Sequence, residues 1–183
     1  MRINSPARRT KGLAPAESLD EILGIRARMP DVMPNKAALT NTMALVRYEA
    51  LVTSVTIPFA LTRLRPNRKP WSLKHWRLAH RTIFKPVYEW AGELRTVNIK
   101  KEDAFVDKDR IEVKVKEIFA QFYKMNAPSG NLVDGLGHLG VEQLAEKFAH
   151  LYSDLNFVHP FREGNGRSLK VLMTAMVRQV GTT

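Results

Sequence analysis

Residues 159–167 read His159-Pro160-Phe161-Arg162-Glu163-Gly164-Asn165-Gly166-Arg167, and they lie between two stretches whose apolar residues repeat at helical spacing. Val141, Leu144, Ala145, Phe148, Leu151, Tyr152 and Leu155 form the first stripe; Leu169, Leu172, Met173, Met176 and Val180 form the second. The segment is therefore a loop joining two buried helices. The second helix begins at Gly164-Asn165-Gly166, where unpaired N–H groups and the positive end of the helix dipole favour an anion. Side chains this small let phosphate oxygens reach the backbone, so the loop reads as a polyphosphate cradle.

The neighbouring residues carry complementary chemistry. His159, a residue type that can be neutral near physiological pH, is suited to taking a proton from an attacking hydroxyl. Glu163 can position a Mg²⁺ that keeps most of its waters and otherwise binds phosphate oxygens. Arg167, one turn into the helix, can neutralise a phosphate tail, and Phe161 is expected to point inward as an anchor. Each residue has a plainer reading on its own: a His before Pro can cap a helix, and Glu-Gly-Asn-Gly can be a simple turn. Base, carboxylate, anion turn and cation together favour the functional reading.

The nine residues resemble the motif of the Fic family, His-x-Phe-x-(Asp/Glu)-Gly-Asn-Gly-Arg-x-x-Arg, with one departure: Lys170 stands at the final Arg position. The resemblance continues upstream through Ile83-Phe84-Lys85-Pro86-Val87-Tyr88-Glu89-Trp90-Ala91-Gly92-Glu93-Leu94-Arg95-Thr96-Val97, and spans roughly residues 71–180. It implies a mostly α Fic-type domain that transfers AMP from Mg·ATP to a Ser, Thr or Tyr hydroxyl of another protein. By the same resemblance His159 is the base and Glu163 the metal ligand. Gly164, Asn165, Gly166, Arg167, Lys170, Lys100 and Lys101 are the nucleotide contacts. The related Doc kinases lack the Gly-Asn-Gly present here, so phosphoryl transfer is the less favoured chemistry.

One segment breaks the helical pattern. Arg95 to Lys100 alternates polar and β-favouring residues, Lys101-Glu102-Asp103 turns the chain, and Ala104-Phe105-Val106 follows. A β-hairpin over about residues 94–106 is expected to lie on the helical core with an open edge. The resemblance makes it a flap whose residues Val97, Asn98, Ile99 and Phe105 dock a target segment as an added strand. Glycines common at the family's flap turn are absent.

Elsewhere, residues 1–36 carry Pro6, Pro15, Pro30 and Pro34 and read as an irregular basic arm, with the domain proper at 37–183. Leu39, Met43, Val46, Ala50 and Val55 suggest a long helix whose regularity Pro58 limits. Ser72 is placed to cap a helix over 73–84, Pro86 to restart a short one, and Asp107 to cap a helix burying Ile111, Val115, Ile118, Phe119 and Phe122. Gly135-Leu136-Gly137-His138-Leu139-Gly140 matches a dinucleotide fingerprint letter for letter, but no parallel strand precedes it, so a flexible linker is expected. His75 and His80 are five apart and face different ways, which makes a shared metal improbable.

Composition narrows the classes. The 183 residues suit one domain, and the lack of Cys excludes a disulfide framework, a thiol nucleophile and a Cys-based zinc site. The run from Ala50 to Leu61 is short and interrupted, and no signal-peptide stretch opens the sequence, so a cytoplasmic bacterial protein without a membrane partner is expected, with delivery into a host cell left open. The net charge of +11 is uneven: Thr62 to Lys85 holds eight cations and no Asp or Glu. An acidic partner or an ordinary solvated face explains this better than specific nucleic-acid recognition, because no zinc-finger spacing or basic zipper accompanies the charge.

Three functional alternatives remain open at this point: a catalytically weak or silent Fic-like binding module, transfer of another nucleotide-derived group, and a basic nucleic-acid-associated protein. Regulation is also implied by the resemblance. The family's inhibitory helix carries (Ser/Thr)-x-x-x-Glu-(Gly/Asn), and no Glu in this sequence meets that pattern. A small antitoxin supplying the Glu in trans is therefore the expected partner of a toxin-like transferase.

Overall fold

The computed structural model describes residues 32–65, 70–100 and 104–181, and within them the helical periodicities become six α-helices. These are α1 (Thr42–Arg63), α2 (Leu73–Phe84), α3 (Ile111–Asn126), α4 (Leu132–Leu136), α5 (Val141–Val158) and α6 (Asn165–Val180). Residues 1–31 of the expected basic arm lie outside the described range. Helix α6 is central, packing on α1, α2, α4 and α5, while α3 closes against α5. Leu169, Leu172, Met173, Met176 and Val180 are all buried, as the second stripe requires. Two tryptophans fasten α2 to this core. Trp76 Nε1 donates to Ser168 Oγ at 3.0 Å, and Trp71 Nε1 donates to Gln179 Oε1 at 2.6 Å.

Local signals set several boundaries. Ser72, in an extended conformation, precedes α2, which ends at Phe84 as the spacing predicts. Asp107 accepts from the Asp109 N–H at the head of a 3-10 turn, Lys108–Arg110, that leads into α3. The five residues expected to be buried along α3 are buried. In α5 the stripe holds at Phe148, Leu151 and Leu155, but Val141 is exposed at the helix start. Pro86 does not begin a helix; residues 85–92 are mainly turns.

Helix α1 differs from expectation in the face it buries. Met43, Val46 and Val55 are exposed, and the inward side carries Leu45, Glu49, Thr53 and Ala60. Apolar spacing misreads this face because its polar groups have partners: Thr56 Oγ1 donates to the Ile83 carbonyl, and Glu49 is paired inside the cleft described below. The helix also continues through Pro58 to Arg63, giving up the one hydrogen bond that proline cannot donate. Contrary to the reading of the short run Ala50 to Leu61, the full α1 is long and apolar enough to cross a bilayer by length and composition alone.

The linker expected around Gly135 is also replaced by structure. Helix α4 buries Leu132 and Leu136, and a Cβ at Gly135 would lie 2.0 Å from the Asn126 carbonyl oxygen. The glycine there permits a close helix approach rather than flexibility.

The β-hairpin is the main correction. No strand pair forms among the described residues of 94–106; a single antiparallel bridge joins Lys100 and Ala104. The cause is Arg95. Its guanidinium takes the carbonyls of Val97 and Val106, two acceptors that a ladder could use, and ties them to the carbonyls of Val158 and His159 at the end of α5. Asn98 likewise turns inward, accepting from the Lys108 N–H and donating to Asp107.

Candidate active site

The candidate base stands where α5 ends. His159 caps α5 in the left-handed conformation with φ 49°, which reverses the chain toward the cradle. Its Nδ1 lies 3.0 Å from the Asn156 carbonyl oxygen. A carbonyl can only accept, so Nδ1 carries the hydrogen and Nε2 is the basic nitrogen of the neutral ring. The ring stacks on Phe105, with centroids 3.9 Å apart and planes 12° apart.

The loop that follows is over-determined from inside. Phe161 is fully buried, edge-on to Trp76 and stacked on His80 at 3.9 Å. Asn165 closes the loop with its side chain: Oδ1 accepts from the Phe161 N–H at 2.9 Å, and Nδ2 donates to the Phe161 carbonyl at 2.8 Å. Its amide group is thus structural, and what it offers an anion is its backbone N–H at the start of α6. Gly164 has φ 78°, and a Cβ there would sit 2.3 Å from Phe84 Cε2. Only glycine fits. Gly166 borders open space, so the first turn of α6 faces the cleft unobstructed.

His80 supports Glu163 from below. Its Nδ1 accepts from the Gly92 N–H at 2.9 Å, so its Nε2 is the donor to the Glu163 carbonyl, 2.8 Å away. This pairing accommodates one ring proton, and burial pulls the imidazole pKa down to about 4. The Glu163 carboxylate is half exposed and accepts from the Gly164 N–H at 2.8 Å. Among the described residues no cluster of three or more His, Asp or Glu is arranged to hold a metal alone. A single carboxylate beside an anion cradle suits a hard cation that brings its own waters and phosphate oxygens, so Glu163 fits Mg²⁺ bound with a nucleotide.

His159, Glu163, Asn165, Gly166 and Arg167 line one cleft of about 950 Å³, together with Lys100, Ile99 and Phe105. Its cationic end holds an arrangement that sequence reasoning missed. Arg167 Nη2 lies 2.9 Å from Glu49 Oε2 and 3.5 Å from Glu163 Oε1, with its guanidinium 4.7 Å from the Phe84 ring centroid. Tyr88 donates its hydroxyl to Glu49 Oε1. Burial first, then the adjoining Glu49 carboxylate, drives the Tyr88 hydroxyl pKa upward, so the phenol keeps its proton. Arg162 also lines the cleft, with Nε buried and lacking a hydrogen-bond partner among the described residues. Glu49 is the one acidic residue in the sequence of α1, and that was the available signal for it.

Not every expected residue gathers here. Lys170 is exposed on α6 and is not among the residues lining the cleft. Lys101 lies outside the described residues. Ile99 and Asn98 are buried, whereas a docking edge would present them outward, and Val97 is half-buried.

The profile of the Fic/DOC family matches residues 70–177. The chain is 30% identical over 151 residues to the protein adenylyltransferase VbhT of Bartonella schoenbuchensis, covering 82% of this chain and 30% of that protein. It is 34% identical over 112 residues to the probable protein adenylyltransferase y4lH of Sinorhizobium fredii, covering 58% of this chain and 53% of that one. Among solved structures it is similar to BepC from Bartonella tribocorum with bound AMPPNP: TM-score 0.64 and 20% identity, over 86% of this chain and 78% of that chain. The chain thus spans 30% and 53% of the length of these two sequence relatives.

Proposed function

The chain belongs to the Fic/DOC family, and from that premise we propose that it is a protein adenylyltransferase, moving AMP from Mg·ATP to a Ser, Thr or Tyr hydroxyl of a protein target. The observation that carries this reading is the hydrogen bond between His159 Nδ1 and the Asn156 carbonyl. It assigns the ring proton to Nδ1 and the lone pair to Nε2, in a residue that lines the same cleft as the α6 N-terminus and Arg167. In the proposed step the target oxygen attacks the α-phosphorus, its proton passes to His159 Nε2, and the bond to the pyrophosphate leaving group breaks. The N–H groups at Asn165, Gly166 and Arg167 bind phosphate oxygens, and Lys100 and Arg167 balance their charge. Magnesium, bound with the triphosphate at Glu163, would supply further charge neutralisation. AMP transfer by the relatives VbhT and y4lH, as their names state, and the AMPPNP-bound neighbour support the assignment.

We further propose that a separate small protein restrains the enzyme, since no Glu here has the inhibitory pattern. Lys170 would meet its carboxylate as a point charge without the fork of an arginine. A second reading, a weak or silent nucleotide-binding module, is favoured by Arg167 being paired with Glu49 and by Lys170 lying outside the cleft lining. Mass spectrometry of a bacterial lysate treated with the protein and Mg·ATP separates the two. A protein hydroxyl gaining the mass of AMP, absent with the His159→Ala variant, is expected; no modified peptide would favour the binding module.

A further inference from the structure

Helix α2 has two working faces. Trp76, His80 and Ile83 face the core and the loop 159–167, whereas Lys74, Arg77 and Arg81 face outward into a second groove of about 850 Å³. Arg63 and Arg65 reach it from the end of α1, and Lys116 from α3, so six cations converge on it from three elements. Glu112 is the only carboxylate in its lining, and none of the six cations forms an ion pair with a described residue. Its other walls are apolar, with Leu73 and Leu78 half-buried and Val113 exposed. The groove shares no lining residue with the catalytic cleft.

We propose that this groove is a docking site for an acidic, apolar-anchored segment of a partner protein. Six cations in one groove, none with an ion pair among the described residues, favour an anionic occupant. A concave, partly apolar floor gives purchase to aliphatic side chains, which phosphate-rich ligands do not carry. Single-stranded nucleic acid needs aromatic platforms for its bases, and the only ring in the lining, His75, is engaged with Trp71 at 4.9 Å. The chain's own first residues are a poor occupant, because 1–31 hold six Lys and Arg against four Asp and Glu.

The test is fluorescence anisotropy of the full chain with a labelled Glu-rich peptide containing Leu anchors. A Gln-for-Glu version of the peptide and a single-stranded oligonucleotide of equal charge are run beside it. Charge reversal of Arg65, Lys74 and Lys116 to Glu is expected to weaken the acidic peptide at least about tenfold, with ATP binding unchanged as proof of folding. Reversal of Lys124, Lys147 and Arg178, which lie outside the groove, is expected to change it little. The proposal is overturned if the oligonucleotide binds more tightly than the peptide, if both triple variants lose equally, or if the Gln version binds as well as the Glu version. Absence of saturable peptide binding overturns it too, leaving a solvated basic face.

Discussion

Phe105 lies flat against His159, ring centroids 3.9 Å apart, so the segment expected to dock a target rests on the base that would deprotonate it. The contact fixes the plane of the imidazole while Asn156 fixes its tautomer. Phe105→Ala is expected to slow AMP transfer roughly two- to tenfold, the worth of one aromatic pair, with ATP affinity unchanged. Single-turnover transfer alongside calorimetric ATP binding checks this; an equal loss in both quantities would show a general collapse of the cleft instead.

His159→Ala should lower transfer by at least about a hundredfold while preserving fold and nucleotide binding, because in the proposed step the base acts on the hydroxyl rather than on ATP. Near-normal modification by this variant would remove His159 from the assigned role.

Glu163→Ala should weaken ATP binding roughly tenfold, about 1.4 kcal/mol, in Mg²⁺ and little in EDTA. Titration of the unmutated protein under both conditions supplies the reference; magnesium-insensitive binding there would contradict the role given to Glu163.

Glu49 accepts from Tyr88 and pairs with Arg167, so its removal strands a buried phenol. Glu49→Ala should cost about 1–3 kcal/mol of stability, and Glu49→Gln, which keeps an acceptor for Tyr88, clearly less. Urea unfolding of the two variants against the parent measures the difference.

His80 gives a pH dependence of known sign. Burial lowers its folded pKa to about 4, below the unfolded value of 6.5. Protonation therefore favours the unfolded chain: this contribution is fully present above pH 6.5 and is lost as pH falls toward 4, about 3 kcal/mol in all. His80→Gln should flatten the urea midpoint between pH 7 and pH 5 relative to the parent. Parallel curves for the two proteins would show that His80 is not the titrating group.

Much of this arrangement was legible in the residues. The second apolar stripe, Ser72 at the head of α2 and the buried face of α3 were written in spacing, because those elements bury hydrophobic side chains on one face. What spacing could not reveal depends on partners distant in sequence. Glu49 faces inward because Arg167 and Tyr88 meet it, 118 and 39 residues away. The alternation over 95–100 looked like a strand because period-two patterning does not register that one arginine would claim the carbonyls. At the loop itself the residue types pointed to a candidate chemistry, yet the closing of the loop by the Asn165 side chain depends on geometry alone.

That arginine also couples two recognition tasks. Arg95 donates its backbone N–H to the Pro160 carbonyl and its side chain to carbonyls on both sides, at 97 and 106 and at 158 and 159. The expected outcome is that the strip that would meet a target protein and the entrance of the proposed nucleotide loop open as one cooperative unit. Hydrogen exchange should find their protected amides sharing a single opening free energy, with the two substrates reporting to each other through it.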